Sequence, residues 1–167
     1  PLTGLWGMEY RNSGSVALGY DENNGWVYQE LLLRGNHVVP VCADDMHTAV
    51  SRKNGYPVLG DSWNMVGAEK LTYDAVIAAM ERGDLYASCG PEILSLTLED
   101  GPLRIACSPA ARVQLIAHNR HAQMAYDPEG KITEAVFDIS GWLSKNRENP
   151  KGFLRLIVTA PDGTYAV

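Results

Sequence analysis

Past Cys89-Gly90-Pro91 the chain becomes a run of short strand-like segments spaced by turn residues, and this restricts its second half to an antiparallel β architecture. Residues 93–98, 103–107, 113–118, 132–139 and 153–159 are each rich in β-branched and apolar side chains. Turns are expected at Glu99-Asp100-Gly101, Asp127-Pro128-Glu129-Gly130 and Pro161-Asp162-Gly163. The spacing predicts a small antiparallel sandwich or sheet over residues 92–167. Ile132, Ala135 or Val136, and Phe137 do not alternate cleanly, so a bulge or register shift is expected near them.

Residues 1–91 read differently, as strands alternating with helices. Residues 5–11 form a short strand with Trp6, Met8 and Tyr10 on one side and Glu9 on the other. Residues 12–24, rich in Gly, Ser, Asp and Asn, read as a loop without structure of its own, with Tyr20, Asp21 and Glu22 as candidate lining groups. A helix over 26–34 stops at Gly35. A polar loop over 48–60 carries Arg52 and Lys53, either a solvated face or a phosphate-attracting pair. Residues 62–70 are expected to be an edge strand burying Trp63, Met65 and Val66. Thr72 then stands as N-cap of a helix with Asp74 in its first turn; Tyr73, Val76, Ile77 and Met80 share one face, and Gly83 closes it. A strand over 85–88 comes next.

The candidate chemistry lies in His37-Val38-Val39-Pro40-Val41-Cys42-Ala43-Asp44-Asp45-Met46-His47, where an apolar strand runs into two carboxylates and an imidazole. Asp45 and His47 are two apart, so continued strand geometry places both on one face. A carboxylate oxygen beside an imidazole nitrogen is half of a divalent-metal site suited to zinc, iron or manganese. The same spacing fits a strand ending in a polar turn, with Asp44 or Asp45 capping the next segment and His47 exposed. Glu9 is either a solvated strand carboxylate or an outer-shell acceptor. Cys89 has no neighbouring base and reads as a buried thiol at a tight turn. His118 and His121, flanking Arg120, read as surface residues.

Four segments together resemble one family. Gly4-Leu5-Trp6-Gly7-Met8-Glu9-Tyr10-Arg11-Asn12 is similar to the Gly-hydrophobic-Glu-aromatic-x-Asn strand end of PHP-domain proteins, the polymerase and histidinol phosphatase type of metal-dependent phosphoesterase. Residues 26–35 resemble that family's Trp-x-x-x-Leu-Leu-x-x-Gly helix. Asp44-Asp45-Met46-His47 resembles its late Ser/Asp-Asp-x-His motif, and residues 80–91 resemble its closing helix-Gly-x-x-Tyr-x-Ser-x-Gly-Pro segment. The resemblance covers roughly the first ninety residues. It implies an α/β plus all-β chain: residues 1–91 as the carboxy-terminal portion of a partial, distorted (β/α) PHP-type barrel, followed by the β-rich domain of residues 92–167. It further implies Asp45 and His47 as two metal ligands, phosphate-ester hydrolysis by metal-activated water, and a small phosphorylated substrate or short oligonucleotide as partner.

The family opens with His-x-His, whereas this chain has four histidines and no such pair. The expectation is therefore the carboxy-terminal part of a longer hydrolase whose divalent ions, zinc, manganese or iron, belong to the complete protein. Two ligands rarely hold a catalytic metal against water, so the isolated chain is expected to have little or no phosphoesterase activity. A barrel lacking its front exposes strand edges and predicts self-association. The competing functional expectation is a noncatalytic β-rich binding or interaction module on a barrel scaffold.

Charge narrows the partners. With 14 Lys plus Arg against 20 Asp plus Glu, the net charge is -6, which argues against general affinity for nucleic acid or anionic membranes. The 3 cysteines are widely spaced and imply no disulfide framework or zinc ribbon. No apolar run approaches the roughly 18 residues needed to span a bilayer and no signal peptide is visible, so the expected compartment is the cytoplasm.

Overall fold

A computed structural model describes residues 4–20, 24–47, 59–99, 101–118 and 122–167. These residues form a β-rich mixed fold of 11 strands and 4 short helices. They divide into two compact units, one comprising Pro1–Leu32 with Asn36–Cys89 and the other Leu33–Gly35 with Gly90–Val167.

In the first unit β1 (Gly7–Asn12) pairs in parallel with β2 (Val39–Ala43). The register slips between Glu9 and Arg11, so Tyr10 is the extra residue of a bulge. Parallel strands need a long crossover. Here it contains α1 (Ser13–Ala17) and α2 (Asn24–Leu33). The helix α1 departs from the structureless loop expected over 12–24. Asn12 explains it, since its side-chain oxygen accepts the Ser15 N–H at 2.8 Å and caps the first turn. On α2 the inward residues are Tyr28 and Leu32, one turn apart, and the Tyr28 ring meets Tyr10 of β1 edge-on at 5.6 Å. Gly35 follows at φ 83°.

An antiparallel pair, β3 (Trp63–Val66) and β4 (Leu85–Ser88), flanks α3 (Tyr73–Arg82), and both strands contact β2. No barrel closes among the described residues. Two expectations need correction here. Met65 is 41% exposed rather than buried, because β3 is only four residues long and its outer face is open. Tyr73, placed on the inner face of α3 by its spacing, is 80% exposed; the fully buried position is Ala79. Thr72 occupies the N-cap in extended conformation but its side chain makes no cap hydrogen bond. Gly83 ends the helix at φ 77°, the left-handed conformation that favours glycine.

The second unit is a sandwich of antiparallel strands. One sheet runs β5 (Ile93–Leu98), β6 (Pro102–Ala110), β9 (Ile132–Asp138). The other contains β11 (Tyr165–Ala166), β10 (Leu154–Thr159), β7 (Arg112–Ala117) and β8 (Ala122–Tyr126) in that order. β9 lies against β7 and β8, and β6 against β10. The core between them comes from alternate residues, Leu103, Ile105 and Cys107 of β6 facing Val113 and Leu115 of β7 and Val158 of β10. The expected irregularity lies on the partner strand. β9 alternates properly with Ala135 and Phe137 inward, while β6 slips between Ala106 and Ala110, where Pro109 has no N–H to pair. The strand expected to run to residue 139 ends at Asp138, whose carboxylate accepts from both N and Oγ of Ser140 and starts α4 (Ser140–Asn146). No helix among the described residues is long and apolar enough to cross a membrane.

Candidate functional site

β1 and β2 end side by side, with Asn12 opposite Ala43, and the polar groups singled out in the sequence come directly after them. Carboxyl ends of parallel strands are the usual place for such groups, because the loops that leave them can carry side chains without disturbing the sheet. The extended conformation stops at Ala43, so strand alternation does not aim Asp45 and His47. Asp45 instead adopts φ 50°, left-handed for a non-glycine residue, and the turn brings its Oδ1 to 3.1 Å from His47 Nε2. Asp45 is 43% and His47 82% exposed, so the pair stands in solvent.

The neighbouring Asp44 has a different task. Its two carboxylate oxygens accept the N–H groups of Gly60 and Ser62, each at 2.7 Å, and so tie the segment before β3 to the end of β2. Ser62 is buried and shares a 2.6 Å hydroxyl contact with buried Ser13, and Arg11 Nε donates to Ser62 Oγ at 3.2 Å. Gly14 approaches the dyad closely. A Cβ there would stand 3.1 Å from the Asp45 carbonyl oxygen and 3.2 Å from the Asp45 Cβ, so α1 forms the floor beneath Asp45. Glu9 is exposed and accepts a hydrogen bond from Asn12 Nδ2 at 3.3 Å.

This network of Arg11, Ser13, Asp44 and Ser62 is not visible in the sequence as a site-building set. Its partners lie up to 51 residues apart, beyond the reach of local spacing. The local signal is Asn12 followed by Ser-Gly-Ser, a capping pattern hidden in a stretch that otherwise reads as loop.

Other candidates separate from the dyad. Among the described residues no group of three or more His, Cys, Asp and Glu could hold a metal ion. Arg52 and Lys53, Asp21 and Glu22, and Arg120 and His121 lie outside the described residues, and Tyr20 is exposed. His118 packs edge-on against Phe153 at 6.0 Å, and its carbonyl accepts from the Trp142 indole. All three cysteines are buried, and burial pushes the Cys107 thiol up, away from the thiolate a nucleophile needs. A groove of about 880 Å³ beside α4 is lined by Ser140 and residues 143–149 and contains neither member of the dyad.

Compared with known proteins, the chain matches no family model, no curated protein and no solved structure.

The chemistry open to this arrangement is set by its donors. An exposed carboxylate in contact with an imidazole can hold the ring in one tautomer, or the two atoms can act together as hard and borderline donors to a divalent cation. A catalytic zinc takes three protein ligands, so the donor set fits such an ion in kind and falls short in number.

Proposed function

We propose that Asp45 and His47 are two of the protein ligands of a divalent-metal phosphoesterase site of the PHP type. The observation that carries this is the 3.1 Å approach of Asp45 Oδ1 to His47 Nε2 just beyond the carboxyl end of a strand in a parallel pair. The resemblance of four segments in matching order supports the same function. The remaining ligands come from outside the described residues.

When bound, a zinc, manganese or iron ion supplies Lewis-acid polarisation of a phosphoryl oxygen and acidifies water. The chain's own residues prepare the place. Asn12 fixes the first turn of α1 under Asp45, Asp44 anchors the segment before β3, and the left-handed turn at Asp45 sets the carboxylate beside the imidazole. Arg11 adds a cation at the same strand end, appropriate to a phosphate ester.

The test is a calorimetric titration of the chain with zinc and with manganese, beside Asp45→Asn and His47→Ala. Weak binding that falls about tenfold or more in each variant is expected, since each removes one of two donors. Equal affinity in wild type and variants, or no binding at millimolar metal, would refute the assignment and leave a noncatalytic module.

A further inference from the structure

The helix α1 contains a glycine that its own backbone does not need. Gly14 is the second residue of α1, and its φ lies outside the left-handed region that favours glycine. Its carbonyl accepts the Leu18 N–H at 3.1 Å, as that of any helical residue would. Glycine is the poorest helix former after proline, so local preference at this position is for alanine.

Space explains the glycine. Gly14 is buried, and a Cβ on it would stand 3.1 Å from the Asp45 carbonyl oxygen, 3.2 Å from the Asp45 Cβ and 3.2 Å from Asn12 Oδ1. All three distances are shorter than the 3.4 Å at which ordinary contact begins. Two of the three atoms belong to Asp45. The carbonyl is part of the peptide that leads on to Met46 and His47, so displacing it alters the distance between the two side chains of the dyad.

Gly141 is the comparison within the molecule. It is also the second residue of a short helix, after Ser140 of α4, and its φ is also outside the left-handed region. A Cβ there meets nothing within 4 Å. Glycine after a helix-starting serine is therefore not a packing requirement in itself; Asp45 makes it one at position 14.

Asp45 relies on that space because its φ of 50° is costly for a residue with a side chain and persists only where the surroundings hold it. Two contacts of the turn do so. The Asp44 carboxylate accepts the N–H groups of Gly60 and Ser62, and α1 meets Asp45 at Gly14.

We propose that Gly14 is the positioning residue of the Asp45–His47 pair: the missing side chain lets the left-handed turn settle against α1 and keeps Asp45 Oδ1 beside His47 Nε2. Its consequence for metal binding rests on the metal-site reading above, whereas its effect on the pair does not.

The test reads the pair first without metal. Ring-nitrogen shifts of His47 in the 15N-labelled chain, assigned with His47→Ala, report the contact, and Asp45→Ala supplies the signals of a ring that has lost it. Gly14→Ala is expected to move the His47 signals most of the way toward those of Asp45→Ala, and Gly141→Ala to leave them in place. Urea midpoints of a double-mutant cycle give a second readout, which serves even if Gly14→Ala folds poorly. Asp45→Gly removes the Cβ in the way and accepts the left-handed backbone, so Gly14→Ala is expected to be better tolerated in that background than in wild type. Zinc titration comes last, with affinity expected to fall about tenfold in Gly14→Ala, as when a group that orients a ligand is lost, and to be unchanged in Gly141→Ala. His47 signals that are the same in wild type and Gly14→Ala, or in wild type and Asp45→Ala, overturn the proposal. So does a cycle without coupling between positions 14 and 45. A His47 shift in Gly14→Ala from a wild type that binds no zinc supports the positioning role and removes the metal reading alone.

Discussion

The Asn64 side-chain amide pairs with both backbone groups of Cys42. Its Oδ1 accepts the Cys42 N–H and its Nδ2 donates to the Cys42 carbonyl, each at 2.9 Å. The amide thus acts as one more strand residue, joining β3 to β2 just before the turn that carries Asp45 and His47. Asn64→Ala is expected to destabilise the chain by about 2 kcal/mol, because both backbone groups of a buried residue lose a partner. Urea unfolding measures it. Asn64→Asp retains an acceptor for the N–H but sets a carboxylate against the carbonyl, and should cost at least as much.

The dyad has two donors, and its activity should reflect that number. Hydrolysis of bis-p-nitrophenyl phosphate by this chain, with zinc or manganese added, is expected to stay at the buffer rate. Metal-dependent turnover removed by His47→Ala would mean that further ligands lie within this chain or a second copy.

Gly130 closes the turn between β8 and β9 at φ 72°, and a Cβ there would come within 2.2 Å of Pro161 Cγ. The left-handed backbone and the rigid proline ring act together, so Gly130→Ala is expected to cost about 2 kcal/mol or more in a thermal or urea melt. Gly163→Ala is the contrast: it is also left-handed, at φ 88°, but no atom stands within 4 Å, so only the backbone cost remains.

Two exposed aspartates link stability to acid. Hydrogen bonds from the Ser140 hydroxyl and N–H hold Asp138 below its ordinary carboxylate value, and Thr164 does the same for Asp162. Each group has a lower pKa folded than unfolded. Its contribution is therefore complete above the unfolded value of 3.8 and is lost as pH falls through the lowered folded value. The double variant Asp138→Ala, Asp162→Ala should melt below wild type at neutral pH, and the gap should close in strong acid. A gap that widens on acidification contradicts the assignment.

Local chemistry makes much of the second half readable. The strand over 93–98 and the turn ending at Gly130 stand where alternation and turn residues place them. β8 is not legible in the same way, because Ala-Gln-Met-Ala-Tyr has little intrinsic strand preference and is held by its register with β7. β11, two residues long, has no periodicity to detect. Near the dyad, Asp45 and His47 are identifiable by type and spacing, but their meeting depends on a backbone turn rather than strand alternation.

The sequence by itself determined the turns at Asp127-Pro128-Glu129-Gly130 and Pro161-Asp162-Gly163 and the helix stops at Gly35 and Gly83, since these arise from φ preferences within a few neighbours. Only the tertiary structure decided which distant groups meet: Asn64 with Cys42, Arg11 and Ser13 with Ser62, Asp44 with Gly60 and Ser62. Their hydrogen bonds are specified by the packing of whole strands. No local preference of either partner encodes such a pairing.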